Sequence, residues 1–274
     1  MISLIDNTID GLPASHYQLG TIDDVVNYCK DKTVLGVDTE TEGLDFTSKK
    51  MIMFQIGDED HQFVIDTRVV SIEPLRHILE SRDIVKIFHN AKFDYKFIKK
   101  WGDISCEGIY DTFLTELVIS CGKSLGYGLK DLCKRYLNVE LNKDVRNQFI
   151  GLTGQPFRSD QIVYGAKDVE YLCKIKNLQQ PDIDKFKLQN VVDLENQAVL
   201  GFADMEYNGL HLDVLEWGKL EQGNLDGAHK LLEELDIMVQ EDVRLNDFVM
   251  KYVQGDMFTP VEELRKVTVK WTSP

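Results

Sequence analysis

Asp38 and Glu40 stand two residues apart at the end of the apolar run Thr33-Val34-Leu35-Gly36-Val37. On a strand that spacing sends both carboxylates to one face, where they can reach the same ion. Asp94 follows a second apolar run, Ile84 to Phe88, and falls in the first turn of a helix entered through His89-Asn90-Ala91-Lys92-Phe93. Asp168 comes four residues after Tyr164, so phenol and carboxylate share one helical face about one turn apart. Each alone has an ordinary structural reading. Acids at a strand end are commonly solvated, an acid in a first turn suits the helix dipole, and a core-edge tyrosine is often satisfied by a polar neighbour. Taken together they describe different chemistry. Hydrolysis of a phosphodiester by two cations about 3.5 to 4 Å apart needs carboxylates from several elements, and oxygen ligands select Mg²⁺ or Mn²⁺. Four crowded acids without cations would raise each other's pKa values, so the set makes physical sense chiefly as a metal site.

The elements that must position these residues follow from periodicity. Short β-branched runs at Thr33 to Asp38, Met51 to Gly57 and Gln62 to Asp66 read as three consecutive strands. Ahead of them Thr21-Ile22-Asp23-Asp24 is a capping box opening a helix to about Cys29. Ile72 to Ser81 reads as helix and Ile84 to Phe88 as a buried strand. Helical patterns follow at Ala91 to Lys100, Asp111 to Cys121, Tyr127 to Leu137 and Ser159 to Leu178, the last with Ser159 as its N-cap. Asn138 to Arg158, with Gly151, Gly154 and Pro156, reads as loop. The fold class is α/β, a mixed sheet flanked by helices. At Gln180-Pro181 the pattern changes to long helical periodicity, which sets the expected domains at 1–180 and 181–274. Lys266 to Trp271 alternates like a strand, with nothing nearby to pair with before the chain stops at Pro274, as if cut short.

The 274 residues are 43% hydrophobic and 28% charged, enough for one large domain plus an appendage. No window approaches eighteen consecutive apolar residues, and the N-terminus lacks a basic segment followed by an apolar core, so the expectation is a soluble, cytoplasmic protein with no membrane partner. Five scattered cysteines without a C-x-x-C pair indicate neither a disulfide framework nor a zinc knuckle. The six histidines lack ligand spacing, and His89 reads as structural. Lys plus Arg total 31 against 46 for Asp plus Glu, a net charge of −15. The whole surface therefore does not attract phosphate backbones; any such affinity has to come from bound cations or from lysines gathered on one face.

Three segments carry a family resemblance: Asp38-Thr39-Glu40-Thr41-Glu42-Gly43-Leu44-Asp45, Asn90-Ala91-Lys92-Phe93-Asp94 and Tyr164-Gly165-Ala166-Lys167-Asp168. In order and context they resemble the three exonuclease motifs of the DEDD superfamily, and the third has the Y-x-x-x-D form of the tyrosine branch. That branch contains the proofreading domain of family A DNA polymerases and ribonuclease D. The similarity extends over about residues 30 to 180, including Asp111-Thr112 and Leu125-Gly126-Tyr127-Gly128-Leu129. It implies a ribonuclease H-like fold and 3′ to 5′ hydrolysis with two Mg²⁺ or Mn²⁺ ions. Asp38 would bridge both ions, Glu40 and Asp168 would complete the first site, Asp94 would hold the second, and Tyr164 would orient the attacking water. Thr39, through its backbone, and Asn90 match positions near the terminal nucleotide; Leu44 and Phe93 match positions that pack on its base or sugar, although Leu44 also suits a core and Phe93 a helix staple.

Beyond Gln180, Asp193 to Asp213 resembles the junction where family A polymerases pass from exonuclease to thumb, and Val269 to Pro274 resembles the start of the next thumb motif. The resemblance thus implies a proofreading module acting on a single-stranded DNA 3′ end, with the remaining polymerase domain or subunit as partner. Two alternatives stand beside it. One is a ribonuclease D-like exoribonuclease; the other is a non-catalytic module that docks a polymerase through the helical region.

Overall fold

Seven of the short apolar runs pair into one sheet. The computed structural model describes residues 1–5, 17–123, 126–141, 146–152, 154–254 and 262–271. The strands are β1 (Ile2–Ile5), β2 (Gln18–Gly20), β3 (Val34–Thr41), β4 (Met51–Gly57), β5 (Gln62–Asp66), β6 (Val85–Phe88) and β7 (Ile109–Asp111), in the spatial order β2-β1-β5-β4-β3-β6-β7. β3, β4 and β5 form an antiparallel meander, while β6 and β7 add in parallel beside β3 and β1 in parallel beside β5. The result is a mixed α/β sheet flanked by helices, the layering expected of a ribonuclease H-like fold.

Helices cover both faces: α1 (Ile22–Cys29), α2 (Arg76–Leu79), α3 (Ala91–Gly102), α4 (Thr112–Ile119), α5 (Leu129–Leu132), α6 (Ser159–Phe186) and α7 (Gln189–Asn208). α1 opens with the expected capping box between Thr21 and Asp24. One core packs α1, α2 and α3 against Leu35, Val37, Phe54, Ile56, Phe63 and Ile65; a second packs α6, Phe149 and Phe157 against Ile52, Met53 and Val64. Alternation along the strands divides these side chains between the faces.

Several elements differ from their expected form. β1, β2 and β7 have three or four residues each, too few to show a period. The helix expected over Ile72 to Ser81 is a 3-10 turn at Glu73–Leu75 followed by the single turn of α2. The segment expected as helix from Tyr127 starts at Leu129, because Gly126 has φ +78° and Gly128 is extended, and it widens into a π-type turn at Cys133–Leu137. Leu125 lies outside the described residues. The loop before α6 contains a 3-10 turn, Arg146–Phe149, that delivers Phe149 into the core. Arg158, not Ser159, caps α6: its N–H donates to Gln161 Oε1 at 3.0 Å.

The expected boundary at Gln180-Pro181 falls inside α6, and the first compact unit runs from Met1 to Gly209. Just before the proline, buried Gln179 donates to Thr112 O and Glu116 Oε2 and accepts from Tyr110 Oη. Those contacts hold the helix on the domain where Pro181 removes one backbone donor. The second unit, Leu210–Pro274, holds α8 (Val214–Glu241) and an antiparallel pair, β8 (Val249–Gln254) and β9 (Glu262–Val267). The last strand therefore begins earlier than Lys266 and does have a partner, β8. Trp271 Nε1 donates to Asp236 Oδ1 on α8 at 2.8 Å. Residues 272–274 lie outside the described residues. No helix among the described residues is long and apolar enough to cross a membrane, and all five cysteines are free thiols.

Lys86, on β6, is fully buried, and its ammonium donates to the Ile78 and Ser81 carbonyls at the end of α2. Burial lowers its pKa from the ordinary 10.5 to about 8. Between those values the unfolded chain holds a proton that the folded chain has released, so stability rises with pH across that window. Chemical denaturation from pH 8 to 10.5 is expected to give an unfolding free energy that climbs with pH more steeply in the wild type than in Lys86→Met.

Candidate active site

β3 brings Asp38 and Glu40 to one face, opposite Gln55 and Met53 of β4, and the ladder becomes irregular between Glu40 and Thr41. α6 lies across that face at backbone contact. A methyl group added at Gly36 would stand 2.8 Å from the Val169 carbonyl oxygen and 3.0 Å from Val169 Cγ1. Farther along, one at Gly165 would stand 2.5 Å from Gln55 Nε2. With both positions bare, the helix settles low enough for Asp168 to join the pair from β3. One carboxylate oxygen from each of Asp38, Glu40 and Asp168 lies within 4.8 Å of the others. Glu40 and Asp168 are buried and Asp38 is half-buried.

Asp94 arrives from α3. It is 3% exposed, and Thr39 Oγ1 donates to its Oδ1 at 2.6 Å. Thr39 thus acts here through its side chain as well as lying beside the acids. Burial and the neighbouring charge of Asp38 push the Asp94 carboxyl well above the usual carboxylate range, against the Thr39 hydrogen bond. Asp94 stands outside the group of three that share one ligand position, as an acid held next to it.

The start of α3 is set by Asp111. This buried carboxylate accepts from the backbone N–H groups of Asn90 and Ala91, opening α3, and of Phe113 and Leu114, opening α4. Asn90 takes a left-handed conformation, φ +67°, which asparagine tolerates better than most residues. His89 is structural, its Nδ1 3.0 Å from Thr112 Oγ1.

The other expected positions separate. Tyr164 is half-buried beside Phe149, ring centroids 6.3 Å apart. Phe93 is half-buried, packs on the α3 core and lies 4.9 Å from the Phe97 ring. Leu44 is 81% exposed on the loop after β3, which rules out a core role for it. Sequence reasoning missed Gln55, fully buried across from Asp38, whose amide N and O have no hydrogen-bond partner among the described residues. A glutamine inside an otherwise apolar strand was the available signal. It also missed Gly36 and Gly165, since a glycine's contacts do not show in sequence.

The donor set fits a divalent cation. Three hard oxygen ligands converge within one ligand shell, and a fourth carboxylate, Asp94, is buried nearby with its pKa raised by burial and by the charge of Asp38. In lone form such a cluster is self-repelling; positive charge relieves it.

Comparison with known proteins identifies the family. The profile of the family described as 3′-5′ exonuclease matches residues 17–184. The chain belongs to the 3′-5′ exonuclease family. It is 25% identical over 256 residues to DNA polymerase I of Aquifex aeolicus, covering 86% of this chain and 40% of that protein. It is 24% identical over 233 residues to ribonuclease D of Haemophilus influenzae, covering 82% of this chain and 57% of that one. The chain therefore spans about half the length of these relatives. Among solved structures, Brucella melitensis NrnC with bound Mg²⁺ shares the fold, with a TM-score of 0.60 and 20% identity over 76% of this chain and 93% of that one. This 3′-5′ exonuclease is a hydrolytic enzyme of the DEDD type, a class that uses divalent metal ions.

The spacing of α6 from β3 gives a direct test. Gly36→Ala is expected to cost about 1 to 3 kcal/mol in stability through overpacking. It should also lower exonuclease rate by at least roughly tenfold as Asp168 moves away from Asp38 and Glu40, since a displacement near 1 Å can cost about a hundredfold. Gly201→Ala, where an added methyl meets nothing within 4 Å, should leave both unchanged or raise stability slightly. Thermal unfolding and initial rates measured side by side decide the point.

Proposed function

We propose that this exonuclease removes nucleotides one at a time from the 3′ end of single-stranded DNA, with two Mg²⁺ or Mn²⁺ ions held by Asp38, Glu40, Asp94 and Asp168. The observation that carries the reading is the convergence of the Asp38, Glu40 and Asp168 oxygens within 4.8 Å, with Asp94 buried alongside. Bound divalent ions supply a low-pKa water near neutral pH and charge compensation for the leaving 3′ oxygen.

The chain's own side chains do the rest. Asp38, Glu40 and Asp168 would hold one ion at their shared ligand position, and Asp94 would help hold the second. The Thr39 hydroxyl keeps Asp94 in one rotamer, and Asp111 fixes the turn from which Asp94 projects. Tyr164, one helical turn from Asp168, orients the attacking water through its phenol. Asn90 and the Thr39 backbone bind the terminal nucleotide. Leu44, exposed on its loop, packs against the terminal base, and Phe93 supports the sugar.

The similarity to DNA polymerase I over 86% of the chain supports the DNA reading, and that to ribonuclease D reaches almost as far, over 82%. A polymerase domain or subunit is then the partner. The similarity to ribonuclease D supports a second reading, a 3′ to 5′ exoribonuclease, for which the site has to accept the 2′-hydroxyl.

Digestion of matched 5′-labelled DNA and RNA oligonucleotides separates the two. With Mg²⁺ the expected result is a ladder shortening from the 3′ end of DNA, abolished by EDTA and reduced more than ~100-fold in Asp38→Ala. A ladder on RNA alone replaces the DNA reading with the ribonuclease one. Absence of cleavage on both, or full activity in Asp38→Ala, overturns the metal assignment.

A further inference from the structure

In a chain of net charge −15, α3 is locally basic: Lys92, Lys96, Lys99 and Lys100 accompany a single acid, Asp94. Lys92 and Lys96 are four residues apart and so share a face; Asp94, midway between them, points to the opposite one and is buried. The lysine pair therefore lies at the same end of α3 as the catalytic acid, across a helix about 10 Å wide.

Both ammonium groups converge on one carboxylate of α7. Lys92 Nζ is 2.5 Å from Glu206 Oε1 and Lys96 Nζ is 2.6 Å from Glu206 Oε2. Two cations on one anion leave a surplus positive charge, and the Lys92 and Glu206 side chains are 39% and 43% exposed, open to solvent. An ion pair as exposed as Lys92–Glu206 contributes about 0 to 1 kcal/mol to stability, and Lys96, 16% exposed, is the better shielded of the two lysines, so holding α7 in place accounts for Lys96 better than for Lys92. α7 is already anchored by fully buried Ala203 and by Asp204, which accepts from Tyr95 Oη and pairs with Lys99. A carboxylate gripped by two ammonium groups has the charge and the acceptor spacing of a phosphodiester.

Aromatic surface adjoins the pair. Phe46, two residues beyond exposed Leu44, stacks on Tyr207 with ring centroids 5.5 Å apart at 22°. Lys96 Nζ stands 5.3 Å from the Phe46 ring and Lys99 Nζ 5.1 Å from the Tyr207 ring. Cations interleaved with half-buried aromatic rings are the composition of single-strand binding surfaces, where rings stack on bases and ammonium groups meet phosphates.

We propose that Lys92 and Lys96, with Phe46 and Tyr207 beside them, form a subsite for the backbone and bases upstream of the 3′-terminal nucleotide, and that Glu206 occupies it in place of a phosphate when no strand is bound. The proposal rests on the exonuclease reading, and it gives an acidic protein its local affinity for a nucleic acid. Glu206 sets the threshold: only a strand long enough to present an upstream phosphate displaces it.

The experiment is fluorescence anisotropy of a 5′-fluorescein single-stranded DNA decanucleotide in EDTA, from 50 to 200 mM salt, with cleavage in Mg²⁺ scored separately. Glu206→Gln is expected to tighten binding several-fold. Lys92→Gln/Lys96→Gln is expected to weaken it at least roughly tenfold and to flatten the slope of log affinity against log salt by about 0.7 per lysine. Lys92→Arg/Lys96→Arg, which keeps both charges, should restore affinity and slope to near wild type. Affinities within twofold of wild type for both Glu206→Gln and the double glutamine variant, with unchanged circular dichroism, overturn the subsite, as does the absence of measurable binding by Glu206→Gln. Cleavage by wild type alongside such unchanged affinities overturns the subsite alone; no cleavage by wild type overturns the reading on which it rests.

Discussion

A long helix resting at backbone contact on the central strand is the constraint on which this site depends. Asp38 and Glu40 are fixed by the strand that carries them, but Asp168 reaches them only because α6 descends onto β3 where Gly36 presents no side chain to the Val169 carbonyl. Val169 adjoins Asp168 and Gly36 lies two residues from Asp38, so this close backbone contact and the acidic cluster are neighbours on both the helix and the strand. Interiors packed this densely transmit small displacements, which couples the helix-to-sheet distance to ligand geometry.

The second organising force is electrostatic. Folding brings Asp38, Glu40 and Asp168 together in an already acidic chain with Asp94 buried nearby, and burial together with the charge of Asp38 raises the Asp94 pKa. The Thr39 hydroxyl offsets it locally, while Asp111, whose charge adds to it, ties two helix starts through four backbone hydrogen bonds and so fixes the turn carrying Asp94. Hard oxygen ligands crowded in this way favour a divalent cation among them. On the other side of α3 the sign reverses, with lysines facing Glu206 and Asp204. One helix thus separates an acidic face toward the sheet from a basic face toward α7.

The second unit follows different rules. α8 is long and carries Val214, Leu215, Trp217, Leu220 and Leu231 more than half exposed. It has a capped start at Asp213 and a small two-stranded partner, but little core. Its periodicity was legible as helix, whereas β8, whose Lys251 and Gln254 interrupt the apolar run, was not.

The sequence by itself determined the chemistry. Residue types and spacings at Asp38-x-Glu40, Asp94 and Tyr164-x-x-x-Asp168 specified a carboxylate site, since strand and helix periods fix which neighbours share a face regardless of tertiary context. The longer strands and helices were legible for the same reason. Tertiary structure alone decided what depends on distance between segments far apart in the chain: that Gly36 and Gly165 set the height of α6, that Asp111 serves two helices at once, that Gln55 lies buried opposite Asp38, that α6 carries on through Pro181 because Gln179 anchors it, and that Glu206 meets lysines more than a hundred residues away. A sequence states local periods and side-chain chemistry; which backbone atoms approach to within 3 Å is settled only when the whole core packs.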